Sequence, residues 1–166
     1  MNKSYRNTME IASYANSISD VSDMELFERH GKPVEEQTFS DRKAALEAVL
    51  EKLRLEEFET AAVIEMTQER AKKSAAYLKE RMEELGMDTE NRFSVVDRDS
   101  THFKKGLTVT TFYLAKGLEF DQVFTVWGRQ PEDDLIRQAK YICATRALHE
   151  LYMYQVVTEK SRDNRE

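Results

Sequence analysis

The stretch from Tyr113 to Phe124, YLAKGLEFDQVF, places a lysine, a glycine and a glutamate between two apolar runs. Gly117 permits a positive φ or a close approach of the backbone, and Lys116 and Glu119 flank it. Two interpretations stay open from these residues alone. The stretch is either a polar turn between two strands, or a ligand loop in which Glu119 accepts hydrogen bonds from a sugar hydroxyl and the backbone meets a phosphate.

Two further stretches carry side chains suited to phosphates or bases. Arg146 lies in KYICATRALHELYMY; its guanidinium could bind two phosphate oxygens, or it could simply close a helix C-terminus, where positive charge is favourable. Tyr5 and Arg6 precede a helix for which Thr8 is the expected N-cap. The tyrosine could stack on a base and the arginine could reach a phosphate, or both could belong to a solvated cap region.

Several common nucleotide and metal sites are absent from the sequence. It contains no G-x-x-x-x-G-K-[ST], G-x-G-x-x-G, C-x-x-C or H-E-x-x-H. The histidines His30, His102 and His149 are scattered. We therefore expect the chain, taken alone, to build neither a complete phosphate cradle nor a metal site.

The hydrophobic period alternates between helix and strand along the chain. It predicts helices at 8–18, 40–58, 67–86 and 131–150, and strands at 32–40, 60–66, 93–96, 107–114, 120–127 and 151–157. Ser40 or Asp41 is expected to cap the second helix, Thr67 the third, and Gly86 to end the third. This alternation favours a parallel α/β sheet with helices on both faces. Because ligands of such sheets bind beyond the carboxyl ends of the strands, we expect the 113–124 stretch at that edge.

Composition excludes several classes of protein. The 166 residues fit one domain, and 40% apolar with 34% charged residues is a soluble, folded balance. A formal charge of −6 argues against a uniformly basic nucleic-acid binder. The single cysteine, Cys143, excludes an internal disulfide and fits a cytoplasmic location. No apolar run approaches the ~20 residues that span a bilayer.

Three stretches resemble a known family when they are taken together. KSYRNTMEIASYAN, TTFYLAKGLEFDQVF and YICATRALHELYM resemble, in this order, motifs IV, V and VI of the UvrD/Rep/PcrA group of superfamily I DNA helicases. The motifs fall at 3–16, 110–124 and 141–153, so the resemblance covers almost the whole chain. The short segment 87–106, where the family often inserts an accessory domain, makes the layout most similar to the HelD or helicase IV-like branch.

The resemblance implies a fold. We expect one domain at 1–158 with a RecA-like three-layer α/β/α architecture and a mostly parallel sheet, which is a P-loop NTPase-like fold lacking its own P-loop. The segment 87–106 would be a linker, and 159–166 a charged tail. The chain would be the C-terminal motor half of an ATP-dependent DNA helicase.

The resemblance also implies roles at the nucleotide. Arg146 would be the arginine finger that stabilises charge on the transferred phosphoryl group, and Arg6 would contact the γ-phosphate. Tyr5 would stack near the adenine. Glu119 would bind the ribose, and Gly117 would give it room.

Candidate DNA contacts follow from the same motifs. Thr111, Tyr113 and Lys116 would face the DNA backbone, although Tyr113 stands where the family commonly has a histidine. Thr67 could offer its hydroxyl to a DNA phosphate, or it could be only a helix cap.

The implied cofactor is ATP with Mg²⁺. The phosphate-binding loop and the Mg²⁺ ligands would belong to an N-terminal RecA-like domain of the same protein, so the isolated domain is expected to be inactive. That domain and single-stranded or duplex DNA are the expected partners, without a membrane. One alternative is a nucleotide-switched regulator of the HelD type that binds RNA polymerase. Another is a nucleotide-free α/β interaction domain, which requires that Tyr5, Arg6, Glu119 and Arg146 do not converge.

Overall fold

The computed structural model describes residues 3–4, 8–19, 25–26, 32–55, 58–97, 104–129 and 133–157. Its elements, in chain order, are β1 (Lys3–Ser4), α1 (Met9–Ser19), β2 (Glu25–Leu26), β3 (Glu35–Phe39), α2 (Arg42–Leu55), β4 (Thr60–Glu65), α3 (Gln68–Glu84), β5 (Phe93–Val95), β6 (Gly106–Thr111), β7 (Phe120–Gly128), α4 (Asp134–Thr145) and β8 (Ala147–Val156). Strands β1 and β2 pair with each other. The other six strands form one sheet in the order β3-β8-β7-β4-β6-β5, and every pairing in it is parallel.

Each of the four helices begins after a side chain that accepts a hydrogen bond from a backbone N–H three residues further on. The four bonds are Ile11 to Thr8 (3.3 Å), Ala44 to Asp41 (2.9 Å), Arg70 to Thr67 (3.2 Å) and Ile136 to Asp133 (2.9 Å). They satisfy N–H groups that a helix cannot pair internally. The predicted caps Thr8 and Thr67 are confirmed, and Asp41 rather than Ser40 caps α2.

The helices cover both faces of the sheet. Helices α2 and α3 pack against the face that carries Ala61 and Val63, and α1 and α4 pack against the opposite face, which carries Ala62 and Ile64. The two faces alternate along β4 because successive strand residues point in opposite directions. The expected three-layer α/β/α architecture is confirmed. No helix in the described part of the chain is long and apolar enough to cross a membrane.

Several predicted boundaries are wrong, and β3, for example, begins at Glu35 rather than at Lys32. Strand β6 ends at Thr111 rather than at Leu114, and α4 ends at Thr145, so residues 147–150 belong to β8 rather than to a helix. Strand β8 pairs with β3 on one side and β7 on the other, and these distant partners outweigh the local helical pattern. The expected linker 87–106 also contributes to the sheet, since Phe93–Val95 forms the edge strand β5. The expected tail at 159–166 lies outside the described residues.

Candidate functional site

We call residues 112–119, between β6 and β7, the crossover segment. They connect the side of the sheet where the strands end, here the carboxyl edge, with the side where the strands begin, here the amino edge. Strand β4 lies between β6 and β7 and is parallel to both. The chain must therefore return from the carboxyl end of β6 to the amino end of β7 across β4. It does so without a helix, and Ala115 is packed in the apolar core on the α1/α4 face. One short segment consequently reaches both edges.

Gly117 shapes the second half of the crossover segment. The Leu118 N–H donates to the Ala115 carbonyl at 3.0 Å, which closes a four-residue turn, and Gly117 is the third residue of that turn with φ +84°. A positive φ at the third position is what a type II turn requires. Among the residues that the structure describes, a Cβ added at Gly117 would meet nothing within 4 Å. Glycine is therefore needed here for backbone conformation, not for space within this chain.

Arg146 lies between α4 and β8 and contacts both the crossover segment and the first residue of β7. Its guanidinium Nη1 donates to the Leu118 carbonyl at 3.1 Å, and its own carbonyl accepts from the Phe120 N–H at 2.8 Å. A longer contact of 3.4 Å joins Nη2 to the hydroxyl of Thr145. Burial raises the pKa of Cys143 well above its usual range, and the nearby positive charge of Arg146 opposes part of this rise. Arg146 is the C-cap residue of α4. This position agrees with both interpretations, a phosphate ligand and a residue that closes the helix C-terminus.

Glu119 and Arg146 come together at one edge. Glu119 immediately precedes Phe120, Arg146 immediately precedes Ala147, and Phe120 and Ala147 are register partners in β7 and β8. Neighbouring strands lie about 5 Å apart, so the two residues are neighbours at the amino ends of these strands. Both side chains are partly exposed. The expectation that this site lies at the carboxyl edge is therefore wrong, because the crossover segment carries Gly117 and Glu119 to the opposite edge.

Helix α1 runs antiparallel to α4. Ile18, near the end of α1, shares a surface cavity with four residues of α4 that lie before its last turn, namely Asp134, Arg137, Gln138 and Tyr141. The beginning of α1 at Thr8 is therefore directed toward the end of α4, where Arg146 follows. Tyr5 and Arg6 lie outside the described residues, so their roles at the nucleotide stay predictions.

A family model describes this half of the sheet. The model of the UvrD-like helicase C-terminal domain matches residues 106–154. We refer to residues 106–154, which this model matches, as the UvrD-like segment. This UvrD-like segment runs from the start of β6 into β8, so it contains Gly117, Glu119 and Arg146.

A solved structure has the same fold as the chain. The C-terminal domain of a possible DNA helicase from Lactobacillus plantarum WCFS1 superposes with a TM-score of 0.69 at 23% sequence identity, over 92% of this chain and 88% of that one. A comparison with curated proteins finds no match. This superposition also covers the elements outside the UvrD-like segment, so nearly the whole chain has the fold of that solved domain.

Three of the candidate DNA contacts lie at or just beyond the carboxyl ends of β4 and β6, away from Arg146, whereas Lys116 lies in the turn at Gly117. Thr67 caps α3 just after the carboxyl end of β4, and Tyr113 is exposed on the crossover segment with its ring edge-on to Phe112 at 5.3 Å. Lys116 is also exposed, whereas Thr111 is fully buried at the end of β6. Thr111 thus offers no surface to a ligand in this conformation. The DNA roles of all four residues stay predictions.

A second cluster at the amino edge was missed from the sequence. Asp121 and Thr60 exchange two hydrogen bonds: the Asp121 N–H donates to Thr60 Oγ1 at 2.9 Å, and the Thr60 N–H donates to Asp121 Oδ2 at 3.2 Å. His149 Nε2 lies 3.5 Å from Asp121 Oδ1, and its ring stacks on Phe58 at 5.3 Å. A bulge in β8 produces this placement, because Phe120 and Gln122 of β7 pair with Ala147 and Glu150. In the sequence, the only signal for this cluster is the position of Asp121 two residues after Glu119.

The described residues gather no metal site. Among them, no three His, Cys, Asp or Glu side chains come close enough to hold a metal ion. Carboxylates at the amino edge instead face cations, hydroxyls and amides, as Glu150 does with the Gln122 amide at 3.0 Å. An Mg²⁺ ion bound near Arg146 would therefore need ligands that this part of the chain does not supply.

Proposed function

We propose that this domain is the C-terminal motor half of an ATP-dependent DNA helicase, which completes an ATP site shared with an N-terminal RecA-like domain. The observation that carries the proposal is the meeting of Glu119 and Arg146 at the amino ends of β7 and β8, inside the UvrD-like segment. A carboxylate for sugar hydroxyls and a guanidinium for phosphate then face the same side of the domain.

Arg146 is suited to stabilise negative charge on a transferred phosphoryl group. Its Nη1 is bound to a neutral carbonyl, and its buried Nε has no hydrogen-bond acceptor among the described residues. A phosphate oxygen is a stronger acceptor for a guanidinium than a carbonyl is. This unsatisfied donor supports the fit of a phosphate at Arg146.

Glu119 is suited to the ribose of the same nucleotide. A carboxylate accepts hydrogen bonds and can take both hydroxyls of a ribose. The turn at Gly117 fixes the backbone two residues before Glu119, and the start of β7 fixes it directly after. The side chain therefore projects from a defined point on the edge, which suits recognition rather than acid–base chemistry.

The remaining contacts to the triphosphate and Mg²⁺ would come from the N-terminal RecA-like domain. Closure of the cleft on ATP would bring Arg146 to the γ-phosphate, and hydrolysis would remove the charge that holds it there. The crossover segment reaches from Glu119 back to the exposed Tyr113, so nucleotide state and a DNA contact would act on one stretch of chain. Such coupling requires different affinities in the two states, and the γ-phosphate supplies that difference.

The test uses the protein that carries this domain together with its N-terminal RecA-like domain. Replacing Arg146 by methionine should lower the ATPase kcat by about 10³–10⁵-fold, the range known for arginine fingers, while the circular dichroism spectrum is unchanged. Arg137→Met is the matched control, because Arg137 is an exposed arginine on α4. Near-normal turnover in the Arg146 variant would refute the assignment. Purified alone, the domain should show no ATP turnover.

Glu119 has its own test in the same protein. Glu119→Gln should raise the KM for ATP and shrink the preference for ATP over 2′,3′-dideoxy-ATP, because fewer hydroxyl contacts remain to be lost. A preference equal to that of the wild type would contradict ribose binding. The nucleotide-free alternative required these side chains to stay apart, and the adjacency of Glu119 and Arg146 counts against it.

A further inference from the structure

Arg146 binds the crossover segment by its side chain and the adjoining start of β7 by its backbone. The Nη1 group donates to the Leu118 carbonyl, and the Arg146 carbonyl accepts from the Phe120 N–H. Only the first of these bonds depends on the guanidinium. The segment is held internally by the Leu118 N–H to Ala115 carbonyl bond and by the Ala115 N–H to Thr111 carbonyl bond, each 3.0 Å long.

We propose that the Arg146–Leu118 contact is a latch, which a phosphate group opens by drawing the guanidinium away from the carbonyl. The proposal rests on the function proposed above, since it needs Arg146 to be a phosphate ligand. In the latched state the guanidinium fixes the carbonyl at the end of the Gly117 turn. In the open state the turn loses this support while the backbone bond to Phe120 stays in place.

The direction of the exchange follows from the acceptors. A guanidinium binds an ionised phosphate more strongly than a neutral carbonyl, because the charges are opposite and two parallel N–H···O bonds can form. The buried Nε, which lacks an acceptor among the described residues, can also be satisfied once the side chain moves. Thr145 offers little resistance, because its hydroxyl already donates to the Ile142 carbonyl and lies 3.4 Å from Nη2.

The turn is built to respond when the latch opens. Gly117 tolerates φ of either sign, so the peptide between Lys116 and Gly117 can rotate without a Cβ clash. Nothing within 4 Å of Gly117 would obstruct a side chain there, and Lys116 is exposed. The exposed Tyr113 belongs to the same segment. Release of Leu118 would therefore change the surface that the crossover segment presents beyond the nucleotide edge.

The test is amide hydrogen exchange by NMR on the 166-residue chain without nucleotide. Arg146→Met keeps an unbranched apolar stem as long as the arginine side chain up to Nε, but it removes the guanidinium donors. It should speed exchange of the Leu118 amide about five-fold, which is what a hydrogen bond of ordinary net strength protects. The Phe120 amide is the internal control, because its acceptor is the backbone carbonyl of residue 146. Arg137→Met is the control variant and should leave both amides unchanged.

A second arm needs no variant. Millimolar tripolyphosphate should speed Leu118 exchange in the wild-type chain and have no effect in Arg146→Met. Unchanged Leu118 exchange in Arg146→Met, or equal acceleration at Phe120, would overturn the latch but leave the ATPase test of the proposed function standing. Acceleration by the substitution but not by tripolyphosphate would overturn release by phosphate and count against Arg146 as a phosphate ligand. If Arg146→Met does not fold, the wild-type chain with and without tripolyphosphate decides.

Discussion

Gly106 should be the glycine that the fold tolerates losing least. Its φ is +99°, and a Cβ placed on it would lie 2.1 Å from the Arg92 carbonyl oxygen. That oxygen accepts the Leu107 N–H at 2.9 Å in the pairing of β5 with β6, so it cannot move away without breaking a strand contact. A positive φ costs an L-residue roughly 1–2 kcal/mol, and overpacking costs about 1–3 kcal/mol more. We expect Gly106→Ala to lower the free energy of unfolding by roughly 2–5 kcal/mol in total.

The Gly86→Ala variant separates the cost of a positive φ from the cost of the contact with the Arg92 carbonyl. Gly86 has φ +78° at the end of α3, but an added Cβ would meet nothing within 4 Å. This variant should therefore lose only about 1 kcal/mol, part of which is offset by lower entropy of the unfolded chain. Urea unfolding, followed by circular dichroism and by fluorescence of the single tryptophan, Trp127, gives both values if the m-value is unchanged. Equal losses in the two alanine variants would refute the argument from the Arg92 contact.

Three further predictions concern side chains outside the amino-edge site. The pKa of Glu47 lies below its usual 4.5 because Arg81, and then Tyr77, donates hydrogen bonds to it. The stabilisation from ionised Glu47 is present above pH 4.5 and is lost as the pH falls through the lower pKa of the folded state. In that pH range the urea midpoint of Glu47→Gln should therefore fall less steeply than that of the wild type. Thr67→Val should lower the free energy of unfolding by about 1 kcal/mol, and Thr67→Ser by much less, because serine also caps helices. Arg42→Met should cost about 3–5 kcal/mol by stranding buried Glu65, whose carboxylate lies 2.6 Å from Arg42 Nη1; the Arg42→Met, Glu65→Met double variant should recover most of this, and additive losses in the cycle would contradict it.

Helix starts could be predicted because they are local. The Thr8, Asp41 and Thr67 side chains each accept from an N–H three residues away, and three residues of sequence contain all that is needed. The end of α4 could not be predicted in this way. Residues 147–150 continue the helical pattern, but they become a strand because they pair with the start of β7, where Phe120 is the partner of Ala147 and Gln122 the partner of Glu150. Sheet pairing between distant segments decides that boundary.

Buried carboxylates were also out of reach of the sequence pattern. Glu65 ends an apolar strand and is fully buried, where Arg42 of α2 and Ser74 of α3 both donate to it. Glu150 is similarly enclosed at the other edge, with Gln122 and Tyr152 as donors. A buried charge persists only with such partners, and in each case they come from separate elements. The hydrophobic pattern of the sequence shows an acidic residue in a strand, but it does not show which residues pair with that carboxylate.

The direction of the helices explains why a phosphate site at the amino edge must depend on side chains. Helices α2, α3 and α4 each follow the carboxyl end of a strand or precede the amino end of the next, so their N-termini lie at the carboxyl edge. The amino edge receives helix C-termini, whose partial negative charge repels phosphate and whose free carbonyls accept rather than donate. None of these three helices therefore offers phosphate the backbone N–H groups of its N-terminus beside Arg146, and α1, which begins on this side, already has one such N–H bound by the Thr8 side chain. A guanidinium at the end of α4 reverses the local sign of charge without providing a full set of donors. Such an edge can complete a nucleotide site assembled around another domain's phosphate loop, but it is poorly equipped to hold a triphosphate by itself.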